Sequence, residues 1–138
     1  GAMKDVTFHD PCYLGRYNDE YDAPRKTLKA VKGLHVIEME RSREKGLCCG
    51  AGGGHFWMDL KIGERVNSIR AREAAETGAA TVAAHRSGCF AFGSKKGACV
   101  YAPSEVFCMQ MMEDGVKLTN NEARLDVRDI AEVIAERL

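Results

Sequence analysis

The stretch Lys4-Asp5-Val6-Thr7-Phe8-His9-Asp10-Pro11-Cys12 decides the fold. Lys4 to Phe8 predicts a short buried strand, and Pro11, which has no amide hydrogen to give a ladder, ends it in the loop His9-Asp10-Pro11-Cys12. The first cysteine thus stands at the carboxyl end of a strand. The pattern then repeats along the chain. His35 to Met39 predicts a second strand, and the charged run from Glu40 to Lys45 is a solvated connection into Leu47-Cys48-Cys49-Gly50. Thr81 to Ala84 predicts a third short strand, with His85 and Cys89 just beyond it.

Helical signals fill the intervals. Asp22 is placed to cap a helix that has Pro24 in its first turn and Leu28 and Val31 on its apolar face, closing at Gly33. From about Phe56, the positions Ile62, Val66, Ile69 and Ala74 recur at helical spacing up to Gly78, predicting the longest helix. Residues 86–107 carry no period and read as an irregular insertion. Cys108 to Val116 predicts another helix, Leu118 to Arg124 a connection, and Asp126 the cap of a final helix bearing Ile130, Val133, Ile134 and Leu138. Strands alternating with helices predict the α/β class: a Rossmann-like parallel sheet with helices on both faces. Sites in such sheets gather outside the carboxyl ends of the strands, where the cysteine loops lie.

The chain has 138 residues, the size of a single domain, taken here as 4–138 because Gly1-Ala2-Met3 reads as the remnant of an expression tag. Lys plus Arg and Asp plus Glu both number 20, so the formal charge is zero and the basic footprint of a nucleic-acid binder is missing. Nothing approaches the roughly 20 apolar residues of a spanning helix, and no charged-then-apolar leader is seen, so a soluble segment with no membrane insertion of its own is expected. Six cysteines would permit a disulfide framework in an exported protein. The adjacent pair Cys48-Cys49 is poorly suited to two independent staples, and thiolates in a reducing, cytoplasmic setting fit better.

Soft thiolates select iron–sulfur clusters, zinc or cuprous ions. Neighbouring Cys48 and Cys49 project in different directions from an extended backbone, which suits a multi-iron cluster better than one tetrahedral zinc. Gly50, Gly52 and Gly53 let the backbone approach inorganic sulfide and aim N–H groups at it, while the helix that follows favours negative charge at its N-terminus. Two other readings stay open at this point: a phosphate-binding turn over residues 50–54, and thiol–disulfide exchange by Cys48 and Cys49.

His9-Asp10-Pro11-Cys12 together with Leu47-Cys48-Cys49-Gly50-Ala51-Gly52-Gly53 closely resembles the cysteine-rich CCG domain of the heterodisulfide reductase and glycolate oxidase iron–sulfur families. Cys12-Tyr13-Leu14-Gly15-Arg16-Tyr17-Asn18 with Tyr21-Asp22-Ala23-Pro24-Arg25 looks like the branch of iron–sulfur oxidoreductases that link electron-transfer flavoproteins to quinone. The likeness runs from about Val6 to Ala84 and resumes at Cys108. It implies a Cys…Cys-Cys…Cys-x-x-Cys ligand set for a four-iron cluster, which is non-cubane and active in disulfide reduction in heterodisulfide reductase. It also implies partner domains or subunits carrying flavin or cubane clusters, and a place at the inner face of a membrane through such a partner.

Cys12, Cys48 and Cys49 carry over directly as ligands. The closing pair does not, because its expected positions hold Arg86 and Cys89, and the family pattern after the pair resumes only at Cys108-Met109-Gln110. Cys89 and Cys108 are favoured to complete the set, with Cys99 or His85 as substitutes. The alternatives are a site with fewer ligands that holds an ordinary cubane, zinc or nothing, and a redox-silent docking domain that binds zinc or no metal. No flavin or nicotinamide site is evident, so turnover by the isolated domain is not expected.

Other residues are weighed more briefly. His9 and His55 flank the cysteine loops as ligands or proton donors, against the plainer role of hydrogen bonding to backbone. Arg16, Arg25 and Arg43 could offset cluster charge or meet an acidic partner, but read as solvated. Met109, Met111 and Met112 read as core packing, and Phe56 and Trp57 as packing beneath the glycine loop.

Overall fold

Strand β1 (Lys4–Phe8) forms the centre of a four-stranded, all-parallel sheet, between β2 (Leu34–Val36) and β3 (Thr81–Ala84); β6 (Asp126–Asp129) lies outside β3, giving the order β2-β1-β3-β6. Register is set by Val6 opposite Val36 on one side and opposite Thr81 on the other, and by Val82 opposite Val127. The computed structural model describes residues 4–51, 63–84, 89–90, 100–101 and 106–137, excluding the side chains of Tyr13, Cys89, Phe90, Val100, Tyr101, Val106 and Phe107.

The helices are α1 (Cys12–Gly15), α2 (Asp22–Ala30), α3 (Val66–Glu76), α4 (Val106–Leu118) and α5 (Ile130–Ala135). Alternation along β1 and β3 sends side chains to both faces, and each face has its own core. On one face, Val6, Phe8, Leu34 and Ala83 pack with Leu28 of α2 and with Ile130 and Val133 of α5. On the other, Val82 and Met39 pack with Ala71 and Ala74 of α3, Met112 and Val116 of α4, and Leu125. Helices on both faces of a parallel sheet are the predicted architecture.

Four local expectations change. Asp22 is the first helical residue of α2 and not its cap; Glu20 Oε1 accepts from the amides of Asp22 and Ala23 instead, at 3.0 and 2.8 Å. Asp126 begins strand β6, and the cap of α5 is Asp129, in a capping box with Glu132. Residues 86–107 are not wholly irregular: β4 (Cys89–Phe90) and β5 (Val100–Tyr101) pair antiparallel, Cys89 opposite Tyr101. The long helix starts at Val66 within the described residues, and α4 is the longer of the two. Among the described residues no helix is long and apolar enough to cross a membrane.

The packing that positions the site is that of α4 against α3. Gly115 of α4 lies so close to α3 that a Cβ there would meet the Asn67 carbonyl oxygen at 2.4 Å. Asn67 is fully buried, and its Nδ2 donates to the Met111 carbonyl at 3.1 Å. This close approach holds Cys108, two turns earlier on α4, beside the loop of Cys48 and Cys49.

Candidate metal centre

Four cysteines from three segments converge at the carboxyl end of the sheet. Cys12 opens α1 directly after the β1 loop, Cys48 and Cys49 follow a 3-10 turn at Arg43–Lys45, and Cys108 lies in the first turn of α4. Cys49 and Cys108 are buried with Ala51 and Met111, and Cys48 packs against them. Cys12 and Cys48 are half-buried, so the group has a sealed end and an accessible one.

The sulfurs form a hydrogen-bonded chain, and their acidities are coupled. The Cys12 thiol is held well above its ordinary pKa, first by its hydrogen bond with Cys48 and then by burial. Cys49 is raised likewise by hydrogen bonds with Cys108 and Cys48, with burial adding to the effect. Cys108 moves the other way: Cys49 donates to its sulfur and His9 assists, and together they outweigh burial and bring its pKa down. One sulfur is thus poised to ionise first while its neighbours act as donors.

Backbone amides reinforce the sulfurs. Gly50 N–H donates to Cys48 Sγ at 3.3 Å and the Ala51 amide stabilises the Cys49 sulfur. Gly50 takes φ +91°, a left-handed conformation that an L side chain adopts only with strain, so a glycine is needed where the turn aims these amides. Of the predicted amide donors, Gly50 lies beside the thiols; Gly52 and Gly53 are outside the described residues, as are His55, Phe56, Trp57, His85 and Cys99. Cys89 opens β4, but its sulfur is also outside the described atoms.

His9 is fully buried in the strand-end loop, and a ring nitrogen of it lies within 4.8 Å of both the Cys49 and the Cys108 sulfur. Its Nδ1 accepts from Arg70 Nε at 3.1 Å. Arg70, itself wholly buried, also donates to the Arg41 carbonyl at 2.7 Å and to Glu73 Oε2 at 2.8 Å. Burial alone would raise the Glu73 pKa, but hydrogen bonds from Arg41 and Arg70 keep it below the usual carboxylate range.

Of the three arginines near the cysteine loops, one proves to be internal. Arg25, read from sequence as solvated, is buried and grips Asp10 through two bonds of 2.7 Å, with Glu38 at 2.6 and 2.9 Å. Arg16 donates to the Gly46 carbonyl at 2.7 Å and Arg43 to Asp22 at 2.8 Å. The Arg25 guanidinium braces the cysteine loop from inside, whereas Arg16 and Arg43 make their bonds at the surface, where the sequence places them. Met109, Met111 and Met112 are buried, as core packing requires.

Such a donor set can do specific chemistry. Four thiols on three segments, linked to one another and supplied with amide donors, fit a group that demands several thiolates at once, and zinc or an iron–sulfur cluster is such a group. The phosphate-binding reading of the turn over residues 50–54 falls mostly on residues outside the described ones.

Comparison with known proteins yields a family and several relatives. The family described as CCG, cysteine-rich domain, matches residues 6–92. The chain is 40% identical over 131 residues to the probable iron–sulfur-binding oxidoreductase FadF of Bacillus subtilis, covering 95% of the chain and 16% of that protein. It is 37% identical over 136 residues to an EtfAB:quinone oxidoreductase of Syntrophomonas wolfei, covering 94% of the chain and 16% of that protein. One polypeptide of the dihydromethanophenazine:CoB–CoM heterodisulfide reductase of Methanosarcina barkeri is 33% identical over 135 residues, covering 98% of the chain and 28% of that polypeptide. The chain thus spans well under a third of each of these relatives. No solved structure matches it.

Proposed function

Because the chain belongs to the CCG cysteine-rich domain family, we propose that it is an iron–sulfur-cluster-binding electron-transfer domain of a larger oxidoreductase. The observation that carries this reading is the convergence of Cys12, Cys48, Cys49 and Cys108 into one linked group of sulfurs. The relatives' names supply its direction: an iron–sulfur-binding oxidoreductase, an EtfAB:quinone oxidoreductase and a component of a heterodisulfide reductase.

In this reading those four cysteines hold a four-iron cluster, with Cys89 as a fifth ligand. A bound cluster supplies one-electron redox chemistry. The chain's own residues do the rest. Cys49 and Cys108 sit at the sealed end and exclude water, and Gly50 N–H offsets negative charge on the Cys48 sulfur. The half-buried Cys12 and Cys48 face the side from which a partner domain, bearing flavin or a cubane cluster, exchanges electrons. Partner and acceptor belong to the larger protein, which sits at the inner face of a membrane through another domain.

Anaerobic reconstitution with ferrous iron and sulfide tests the proposal. The chain should take up both in comparable amounts with a broad thiolate-to-iron absorption, and Cys48→Ser and Cys108→Ser should each lose most of it. Retention of iron and sulfide by Cys108→Ser would overturn the assignment of that ligand. Uptake of zinc without iron and sulfide would replace the electron-transfer reading with that of a redox-silent docking domain, which four thiols can equally serve.

A further inference from the structure

We propose that His9 serves the thiol site as a fixed hydrogen-bond donor through Nε2–H and not as a metal ligand, with Arg70 as the residue that positions its proton. The inference rests on the cluster-binding reading for its electronic consequence, but the proton placement stands on geometry alone.

Arg70 Nε carries a hydrogen and has no lone pair to offer, so the 3.1 Å contact makes His9 Nδ1 the acceptor. A neutral imidazole with an unprotonated Nδ1 carries its hydrogen on Nε2. Ligation through Nε2 would require moving that hydrogen to Nδ1, where it would confront the Arg70 N–H inside a fully buried pocket. Arg70 is not free to turn away, because the Arg41 carbonyl and Glu73 Oε2 hold its Nη1. The pair joins β1 to α3 across 61 positions of sequence.

Among the described residues Nε2 is left without a hydrogen-bond partner at normal geometry, in a residue that is 0% exposed. A buried donor left without an acceptor destabilises the fold. Among the described residues, the sulfurs of Cys49 and Cys108 lie within 4.8 Å of a His9 ring nitrogen, and His9 helps to lower the Cys108 pKa. A thiolate or a metal-bound thiolate is a better acceptor than a thiol, so the donor is satisfied when the site is loaded. Hydrogen bonds to cluster sulfurs favour the more negative, reduced state and raise the reduction potential.

Two measurements decide it. Nitrogen-15 NMR of the histidine-labelled chain should show one imidazole, absent in His9→Gln, with Nε2 protonated and Nδ1 not; the reverse tautomer would overturn the proposal. After anaerobic reconstitution, His9→Leu should retain the iron and sulfide content of the wild type but show a lower midpoint potential. His9→Gln, whose amide can donate, should recover part of the shift. Loss of iron in both variants with the fold intact by circular dichroism would make His9 a ligand, and an unchanged potential in His9→Leu would remove its role as donor. Failure of the wild type to take up iron would instead sink the cluster reading and the electronic role with it, leaving the proton placement to the NMR result.

Discussion

Replacing Arg25 by Met should cost the chain a large share of its stability, and the cost should shrink as pH falls. The guanidinium joins three segments: Asp10 in the loop after β1, the Tyr21 carbonyl at the start of α2, and Glu38 after β2. It also lies over the Phe8 ring at 5.5 Å. The side chains of Arg25 and Asp10 are only 2% and 5% exposed, whereas that of Glu38 is 38% exposed, so the magnitude comes from Asp10. Removing one partner of a buried pair leaves an uncompensated charge worth about 3–5 kcal/mol, against about 0.2–1 kcal/mol for an exposed pair. The Arg43 amide still donates to Asp10 at 2.8 Å, which places the expectation at the lower end of that range.

The pH dependence has a definite sign. Burial works to raise the Asp10 pKa, but Arg25 and the Arg43 amide outweigh it and hold it low. In the wild type the stability from this carboxylate is therefore present above its unfolded pKa of about 3.9 and is lost as pH falls through the lower folded value. In Arg25→Met the balance reverses: burial lifts the folded pKa above the unfolded one, and the penalty is relieved as the carboxyl takes up a proton. Urea unfolding at pH 7 and at a series of values down to pH 4.5 should show the gap between the two proteins narrowing. Asp10→Asn added to Arg25→Met should recover stability at pH 7 and flatten the dependence. A loss below about 1 kcal/mol, or a gap unchanged across the series, would refute the buried-pair argument.

Two further outcomes follow from the packing. Gly115→Ala drives a methyl group into the Asn67 carbonyl and should cost about 1–3 kcal/mol in urea unfolding, as overpacking against backbone does. It should also lower iron retention at temperatures where the chain is still folded, because Cys108 moves with α4. Asp129→Ala removes the cap of α5 and should cost about 0.5–2 kcal/mol in thermal unfolding while leaving iron uptake unchanged, since α5 supplies none of the described thiols.

The central strands were legible because strands buried on both faces read as near-continuous runs of apolar and β-branched residues, as in Val6-Thr7-Phe8 and Thr81-Val82-Ala83-Ala84. Strand β6 was not, because an edge strand reading Asp126-Val127-Arg128-Asp129 has one apolar residue and no period to detect. The signal that could have relocated the cap was Glu132 three places after Asp129, the spacing of a capping box. Thiol chemistry is announced by residue type, so Cys12, Cys48, Cys49 and Cys108 stand out in the sequence itself as candidates. Arg25 and Arg70 escaped because their roles depend on partners that only the fold brings together: 15 positions away for Asp10 and 61 for His9.

These distant partners bear on the split motif. A closing cysteine pair interrupted by residues 86–107 raises the loop-closure cost of assembling a full ligand set, which predicts weaker or more labile metal binding. That cost is not spread evenly over the five cysteines. The Arg25 brace fixes the loop of His9 and Cys12, and the Arg41–Glu73–Arg70–His9 network ties that loop and the segment after β2 to α3. The close approach of Gly115 to Asn67, and of Gly50 to Asn67 and Met111, which leaves little room for a Cβ at either glycine, sets Cys108 beside Cys48 and Cys49. Four sulfurs are therefore held in place by packing and hydrogen bonds that do not involve metal, so their ordering is part of folding rather than of binding. The entropic cost falls on Cys89 alone. Cys89→Ser should accordingly speed the loss of iron to a chelator without abolishing its uptake, whereas Cys49→Ser should abolish uptake.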